Sequence, residues 1–91
     1  MGKKRVPYNK TGIEQLPNDK PVVYRIKTKG NGLNYVGVAK RGRVRERIAE
    51  HLGNIPGAIV EIEQFSSIEE ARKRESRVIR RSQPKYNKQG K

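Results

Sequence analysis

The chain has 91 residues, with 22 Lys and Arg against 9 Asp and Glu, which gives a net charge of +13. This length fits one small domain, and a hydrophobic fraction of 32% predicts a small core. The absence of cysteine excludes disulfides, thiol nucleophiles and zinc–thiolate sites, and the single histidine excludes multi-histidine metal sites. No apolar run approaches the roughly 20 residues of a membrane span, and no secretory leader is expected. The charge favours nucleic acid as the partner, with an anionic membrane surface as the competing interpretation.

The first third of the chain predicts a basic arm followed by a hairpin. Residues 1–20 hold five basic residues, two prolines and scattered apolar positions, so we expect an irregular arm with one helical turn at residues 11–16. Residues 21–27 are β-branched and aromatic, which predicts a strand. Lys-Gly-Asn-Gly at residues 29–32 predicts a hairpin turn, because Gly and Asn tolerate positive φ. Residues 34–39 then form a second, antiparallel strand.

The rest of the chain alternates between helix and strand. In residues 41–52 an apolar side chain recurs every four positions, which predicts a helix. Residues 58–65 begin apolar and then alternate, as expected for a third strand. A capping box at residues 66–69 begins a second helix, which extends to about residue 81 and is followed by Pro84.

This element order, β-β-α-β-α, predicts an α+β fold in which a small three-stranded antiparallel sheet is flanked by helices. We expect the basic arm at residues 1–20, one folded domain at residues 21–87 and a basic tail at residues 88–91.

Glu75 interrupts the apolar stripe of the second helix. It lies four residues after Ala71 and four before Ile79, which places it on the same helical face. A carboxylate there loses solvation unless a cation or a hydrogen-bond donor meets it. Two interpretations remain open: a structural salt bridge to an arginine, or a carboxylate that holds a hard divalent cation such as Mg²⁺.

Two further groups of side chains are predicted to meet above the sheet. Arg47 and His51 are four residues apart on the first helix, and Tyr24 and Tyr35 lie on one face of the hairpin. Gly37 is expected close to Tyr24 or Ile26, where its missing side chain leaves a cavity over the sheet. Each residue considered alone also fits an ordinary structural role. Arg47 would be a solvated charge, His51 a core histidine, and the two tyrosines strand residues that pack normally.

Basic residues are concentrated in both predicted helices. Residues 40–47 contain five Lys or Arg in eight positions, and residues 72–81 contain six in ten. A solvated surface is one interpretation, but the overall charge favours a surface that follows phosphates.

Taken together, these residues resemble the GIY-YIG nuclease domain family. Its two signatures correspond to Val-Val-Tyr at residues 22–24 and Tyr-Val-Gly at residues 35–37. Its helix Arg and His, its glutamate and its closing Pro-Lys-Tyr-Asn correspond to Arg47, His51, Glu75 and residues 84–87. The resemblance covers residues 16–87, and a Leu-Pro lead-in at residues 16–17 is similar to the N-terminal domain of the bacterial excision-repair endonuclease.

The chain departs from the family pattern at two places. Val22 replaces the first glycine of the first signature, which we expect to alter strand packing more than chemistry. The segment between Gly37 and Arg47 is about two residues longer than in the forms with which it is compared, so Arg45 is a rival to Arg47 as the catalytic arginine.

The resemblance implies a metal-dependent DNA endonuclease that hydrolyses phosphodiester bonds with little sequence specificity of its own. Glu75 would hold one divalent cation, Mg²⁺ or Mn²⁺, and Arg47 would stabilise negative charge on the phosphoryl oxygens. Either Tyr24 or Tyr35 would take the proton of the attacking water, and His51 would position the phenol or accept its proton.

The resemblance also implies how the substrate is held. Gly37 would let the backbone approach it, and Asn87 would orient the site. The expected basic contacts are Lys40, Arg41, Arg43 and Arg45.

The resemblance makes DNA the expected partner. We expect a cytoplasmic, DNA-associated protein with no membrane partner, and a partner domain or protein that supplies specificity. Alternatives are a non-catalytic nucleic-acid-binding module on the same fold, a structural chromosomal or ribosomal protein, and a fragment of a larger nuclease. The oligomeric state and the biological role, whether DNA repair, recombination, restriction or homing, stay open.

Overall fold

A four-stranded antiparallel sheet forms the centre of the computed structural model, which describes residues 3–30 and 32–84. The strands are β1 (Lys3–Pro7), β2 (Val22–Lys27), β3 (Leu33–Ala39) and β4 (Ile59–Gln64). Their order across the sheet is β1-β4-β2-β3, so β1 and β3 are its edges. The helices are α1 (Lys10–Glu14), α2 (Val44–Ala49) and α3 (Ile68–Ser82). The predicted α+β class is confirmed, with helices flanking an antiparallel sheet.

The prediction of three strands is wrong, because part of the expected irregular arm forms β1. This strand runs antiparallel to β4 and pairs Lys3 with Glu63 and Arg5 with Glu61, which places opposite charges across the two strands. Val6 is buried in the same core as the strands that follow, so this part of the chain belongs to the folded domain. One apolar residue among three cations gives no local strand signal, and the pairing glutamates lie far along the chain.

The helices cover opposite faces of the sheet. One face packs against α1 and α2 through a core that includes Val6, Ile13, Leu16, Tyr24, Ile26, Val44, Ile48 and Ile62. The other face packs against α3 through a smaller cluster centred on Val23, Val36 and Ala71. Because side chains alternate along β2 and β3, each strand contributes to both clusters. The sheet therefore separates the layer of α1 and α2 from the layer of α3.

The helix predicted over residues 41–52 is shorter in the structure. The α-helical part is α2, after which the N–H groups of His51 and Leu52 donate to carbonyls three residues back and the chain continues in turns. At the start of α2, the side chain of the N-cap residue Arg43 makes no capping hydrogen bond. The Oδ1 atom of Asn18 instead accepts the N–H of Val44 at 2.7 Å.

The N-cap of α3 lies one residue later than the predicted capping box places it. Ser67 is the N-cap and accepts the N–H of Glu70 at 3.2 Å, while the Glu70 carboxylate accepts the hydroxyl of Ser66 at 2.8 Å. The helix ends at Gln83 in the left-handed conformation, with φ 47°, directly before Pro84. Within the described ranges, no helix has both the length and the apolar character needed to cross a membrane.

Three sequence predictions lie outside the described residues. They are Asn31 of the hairpin turn, the Lys-Tyr-Asn of the closing motif with Asn87, and the basic tail at residues 88–91.

Candidate active site

A cleft of about 320 Å³ opens beside the edge strand β3, where side chains from both helical layers reach the same space. The strands contribute Tyr24, Tyr35 and Gly37, α2 contributes Arg47, and α3 contributes Glu75. The remaining lining residues are Val38, Lys40, Arg43, Ile68 and Arg72. The fold therefore gathers residues from two signatures and two helices that are distant in sequence.

Gly37 is what leaves room for the phenol of Tyr24 in this cleft. The two residues are direct partners in the antiparallel register of β2 and β3. A Cβ atom at residue 37 would lie 2.5 Å from both Cζ and the hydroxyl oxygen of Tyr24, and 3.0 Å from Cε2 of Tyr35. Because such approaches are shorter than any van der Waals contact, only glycine allows the Tyr24 ring to lie across the edge strand.

Tyr24, Tyr35 and His51 form one aromatic cluster. The Tyr24 hydroxyl oxygen lies 2.8 Å from Nε2 of His51, and the Tyr35 ring centroid is 4.6 Å from that of His51. Burial raises the pKa of Tyr24 well above its usual value, and the nearby Tyr35 adds to the effect. Burial lowers the pKa of His51, and the charge of Arg47 lowers it further. At neutral pH a protonated phenol therefore faces a neutral imidazole.

Glu75 is a half-buried carboxylate on the cleft wall. Burial raises its pKa, which the positive charge of Arg72 partly offsets. Among residues 3–30 and 32–84 it has no hydrogen bond and no ion pair, so the structural salt bridge considered from the sequence is not formed there. A desolvated carboxylate oxygen facing open space suits a hard divalent cation, which completes its shell with water and phosphate oxygens. The described part of the chain holds no cluster of three or more acidic or histidine ligands, so such a cation would rely on those other oxygens.

The two rival arginines of α2 have different surroundings. Arg47 lines the cleft, and its Nη1 atom lies 3.6 Å from Oε1 of Glu50 in a half-exposed pair. Arg45 instead donates from Nε to the carbonyl of Leu16 at 2.7 Å and is not part of the cleft lining. Position in the fold therefore favours Arg47.

Of the other predicted basic contacts, Lys40 and Arg43 line the cleft, whereas Arg41 lines a neighbouring groove. Arg72 is a cleft residue that the sequence analysis did not single out. The available signal was its place three residues before Glu75, on the same face of α3. Four cationic side chains thus surround one carboxylate, an arrangement that attracts a phosphate-bearing polyanion.

Comparison with known proteins identifies the family and the fold. A family model described as the GIY-YIG catalytic domain matches residues 20–87. The chain is similar to the crystal structure of the GIY-YIG N-terminal endonuclease domain of UvrC from Thermotoga maritima bound to its catalytic divalent cation, magnesium. The two share 27% identity with a TM-score of 0.68, over 85% of this chain and 92% of that one.

A tyrosine-to-phenylalanine point mutant of the same Thermotoga maritima domain, bound to its catalytic divalent cation, is similarly close. It shows 27% identity and a TM-score of 0.69 over 87% of this chain and 93% of that one. No curated protein gives a significant sequence match. Because the family model spans most of the sequence and the fold agrees, this chain belongs to the GIY-YIG catalytic domain family.

Proposed function

We propose that the protein is a metal-dependent DNA endonuclease that hydrolyses phosphodiester bonds in the cleft beside β3. The observation that carries the proposal is that the half-buried Glu75 carboxylate, which has no hydrogen bond or ion pair among the described residues, lines the same cleft as Arg47 and Tyr24. A surface that only binds phosphates gains nothing from a carboxylate among its cations, since the carboxylate repels the ligand. A carboxylate that holds a cation next to the scissile phosphate has a chemical purpose.

Glu75 would hold one Mg²⁺ or Mn²⁺ through a carboxylate oxygen. When bound, the cation polarises the phosphate and neutralises charge on the leaving oxygen. The magnesium bound by the similar UvrC domain supports the choice of metal.

Arg47 would bind the phosphoryl oxygens of the scissile phosphate. Its guanidinium offers charge-assisted hydrogen bonds where negative charge develops during attack. Lys40, Arg43 and Arg72 line the same cleft and would hold the flanking phosphates. Because phosphate contacts carry no base information, we expect little intrinsic sequence specificity and a partner domain or protein that supplies it.

Tyr24 would act as the general base. In this proposal the phenol oxygen takes a proton from the attacking water while its own proton passes to Nε2 of His51, 2.8 Å away. His51 can accept it because its lowered pKa keeps the ring neutral, with Nε2 as the acceptor in the tautomer protonated on Nδ1. Tyr35 packs beside both rings and would hold them in place.

Cleavage of supercoiled plasmid tests the proposal. Purified protein is incubated with plasmid at low salt with Mg²⁺, with Mn²⁺ or with EDTA, and a gel shift measures binding in parallel. We expect nicking only when a metal is present. Arg47→Ala should cleave at least about 100-fold more slowly than the wild type. Arg45→Ala is the control, because it removes the same charge from the same helix and should retain cleavage. Binding without cleavage under every metal condition would instead support the non-catalytic module.

A further inference from the structure

A second basic groove lies on the opposite flank of α3 from the cleft. It has a volume of about 530 Å³ and shares no lining residue with the cleft. Its basic residues are Arg25 and Lys27 on β2 and Arg74, Arg77 and Arg81 on α3. We call it the far-flank groove. Its arginines on α3 recur at three- and four-residue spacing, so they share one helical face that differs from the face of Arg72 and Glu75.

The open side of the sheet extends this groove. α3 packs mainly on β3 and β2. The helix therefore leaves the same face of β4 and β1 largely uncovered. On that face Arg25 pairs in register with Glu61, and Glu61 pairs in register with Arg5 of β1. This part of the sheet therefore carries charges of both signs, with the acidic residue Glu61 between the basic residues Arg25 and Arg5.

Positive charge in the far-flank groove exceeds what the local glutamates neutralise. Glu63 is shared by Arg74, at 3.2 Å, and Arg25, at 3.7 Å. Glu61 pairs with Lys27 at 3.2 Å. Nη1 of Arg25 is buried and has no hydrogen-bond partner within the described residues.

Two arginines of the groove have no ion-pair partner among the residues that the structure describes. Arg77 and Arg81 are exposed and have no ion pair in the described part of the chain. A fully salt-bridged structural patch would not leave a buried guanidinium nitrogen without an acceptor. The exposed guanidinium groups of Arg77 and Arg81 are suited to phosphate oxygens.

We infer that the far-flank groove binds a second stretch of nucleic-acid backbone while a first stretch lies in the cleft. This inference rests on the proposed function and narrows its substrate to DNA that presents two backbone stretches on either side of α3. A helix with its side chains is about 10–12 Å across, and the major groove of B-DNA is about 12 Å wide. The two flanks of α3 are therefore spaced to reach both strands of one duplex, or two arms of a branched molecule.

The test compares two double variants that each remove two positive charges. Arg77→Ala with Arg81→Ala empties the far-flank groove of its unpaired arginines. The control, Lys4→Ala with Lys10→Ala, removes exposed charges that line neither cavity. Binding is measured in EDTA by salt titration, on a short single strand, a plain duplex and a four-way junction, and thermal melting confirms that both variants fold.

For the groove variant we expect roughly tenfold weaker duplex or junction binding at low salt. The slope of log K against log salt should fall by about 1.8, because each lost phosphate contact contributes about 0.9. The control variant and single-strand binding should change little. If the groove variant binds the plain duplex more weakly than the control does, the second stretch is the opposite strand of that duplex. If it is weaker only on the four-way junction, the second stretch is a second arm.

Two results would overturn the inference. One is a groove variant with the same affinity and salt slope as the control, which would leave the groove to an acidic protein partner. The other is a loss of affinity for the single strand as large as the loss for the duplex and the junction. That result would mean that one continuous strand contacts both the cleft and the groove. Because binding is read without metal, wild-type cleavage in Mg²⁺ separately reports on the proposed function.

Discussion

The hydroxyl oxygen of Tyr24 lies 2.8 Å from Nε2 of His51, which joins a central strand to the turn after α2. This contact gives the buried phenol a proton acceptor inside the protein. It depends on a register that sets Tyr24 opposite Gly37, and on a helix that ends early enough to turn His51 back toward the sheet.

The two tyrosines are expected to differ in their contribution to cleavage. Tyr24→Phe removes the proposed base and its hydrogen bond to His51, so the single-turnover rate should fall by about 10²- to 10⁴-fold. Tyr35→Phe keeps the ring that packs on His51 and should retain most of the rate. A larger loss from Tyr35→Phe than from Tyr24→Phe would reverse the assignment.

Cleavage and stability should both decline on the acid side of the His51 titration. Burial lowers the folded-state pKa of His51 from its ordinary value of 6.5, so the neutral ring persists below that pH. Because its folded-state pKa is lowered, His51 contributes to the free energy of unfolding above pH 6.5, and this contribution is lost as the pH falls through the folded-state pKa. We therefore expect the rate to hold from pH 8 to below 6.5 and to fall only as the pH drops through the lowered folded-state pKa of His51.

The variant His51→Gln provides the control for this pH profile. Glutamine at position 51 does not titrate, so the low residual rate of this variant should lack the part of the acid limb that His51 contributes. A wild-type rate that stays constant down to about pH 4.5, where carboxylates titrate, would contradict a proton-accepting role for His51.

Gly37 is expected to be intolerant of even one methyl group. In Gly37→Ala the new Cβ would lie 2.5 Å from Cζ of Tyr24, so the phenol must move and the hydrogen bond to His51 is lost. We expect a loss of about 1–3 kcal/mol in the free energy of unfolding, and of at least about 100-fold in cleavage. In the control, Gly30→Ala, nothing lies within 4 Å of the new Cβ, so little change is expected in urea unfolding or cleavage.

Glu75 should make the metal-free protein less stable than a neutral residue would. Its folded-state pKa is raised above the ordinary 4.5, so its favourable contribution is present at low pH and lost as the pH rises through the folded value. At pH 7 the desolvated charge opposes folding, and Glu75→Gln should melt at a higher temperature than the wild type in EDTA. Glu69→Gln, at an exposed position of the same helix, should give no gain.

Magnesium should reverse that order of stability. A cation that binds only the folded state stabilises it by mass action, by about 2.7 kcal/mol at 100 times the dissociation constant. The wild type should therefore gain melting temperature on titration with Mg²⁺, while Glu75→Gln gains none. An equal gain in both proteins would place the cation at other ligands.

The central strands, and the residues gathered in the candidate site, could be found from the sequence because their signals are local. Tyr24 and Tyr35 lie on strands with β-branched neighbours, and a hairpin between them fixes which face they share. Glu75 disturbs a regular helical stripe, so periodicity alone marks it as a residue that needs a chemical explanation.

The features that were missed depend on contacts between distant parts of the chain. β1 is mainly cationic, and it becomes a strand because Glu61 and Glu63 of β4 lie opposite Arg5 and Lys3. Asn18 caps α2 across 26 residues of sequence, which no local motif reveals. The surroundings of Arg45, whose side chain binds the carbonyl of Leu16, likewise required the tertiary structure.

The most direct test of the account is plasmid cleavage by the wild type and Glu75→Ala, with Mg²⁺ or EDTA, at protein concentrations where gel shifts show that both bind DNA. We expect metal-dependent nicking by the wild type and at least about 100-fold less by Glu75→Ala, with binding retained or slightly strengthened because a negative charge leaves the cleft. Cleavage by Glu75→Ala at the wild-type rate, with the same metal dependence, would contradict the central claim that this carboxylate holds the catalytic cation.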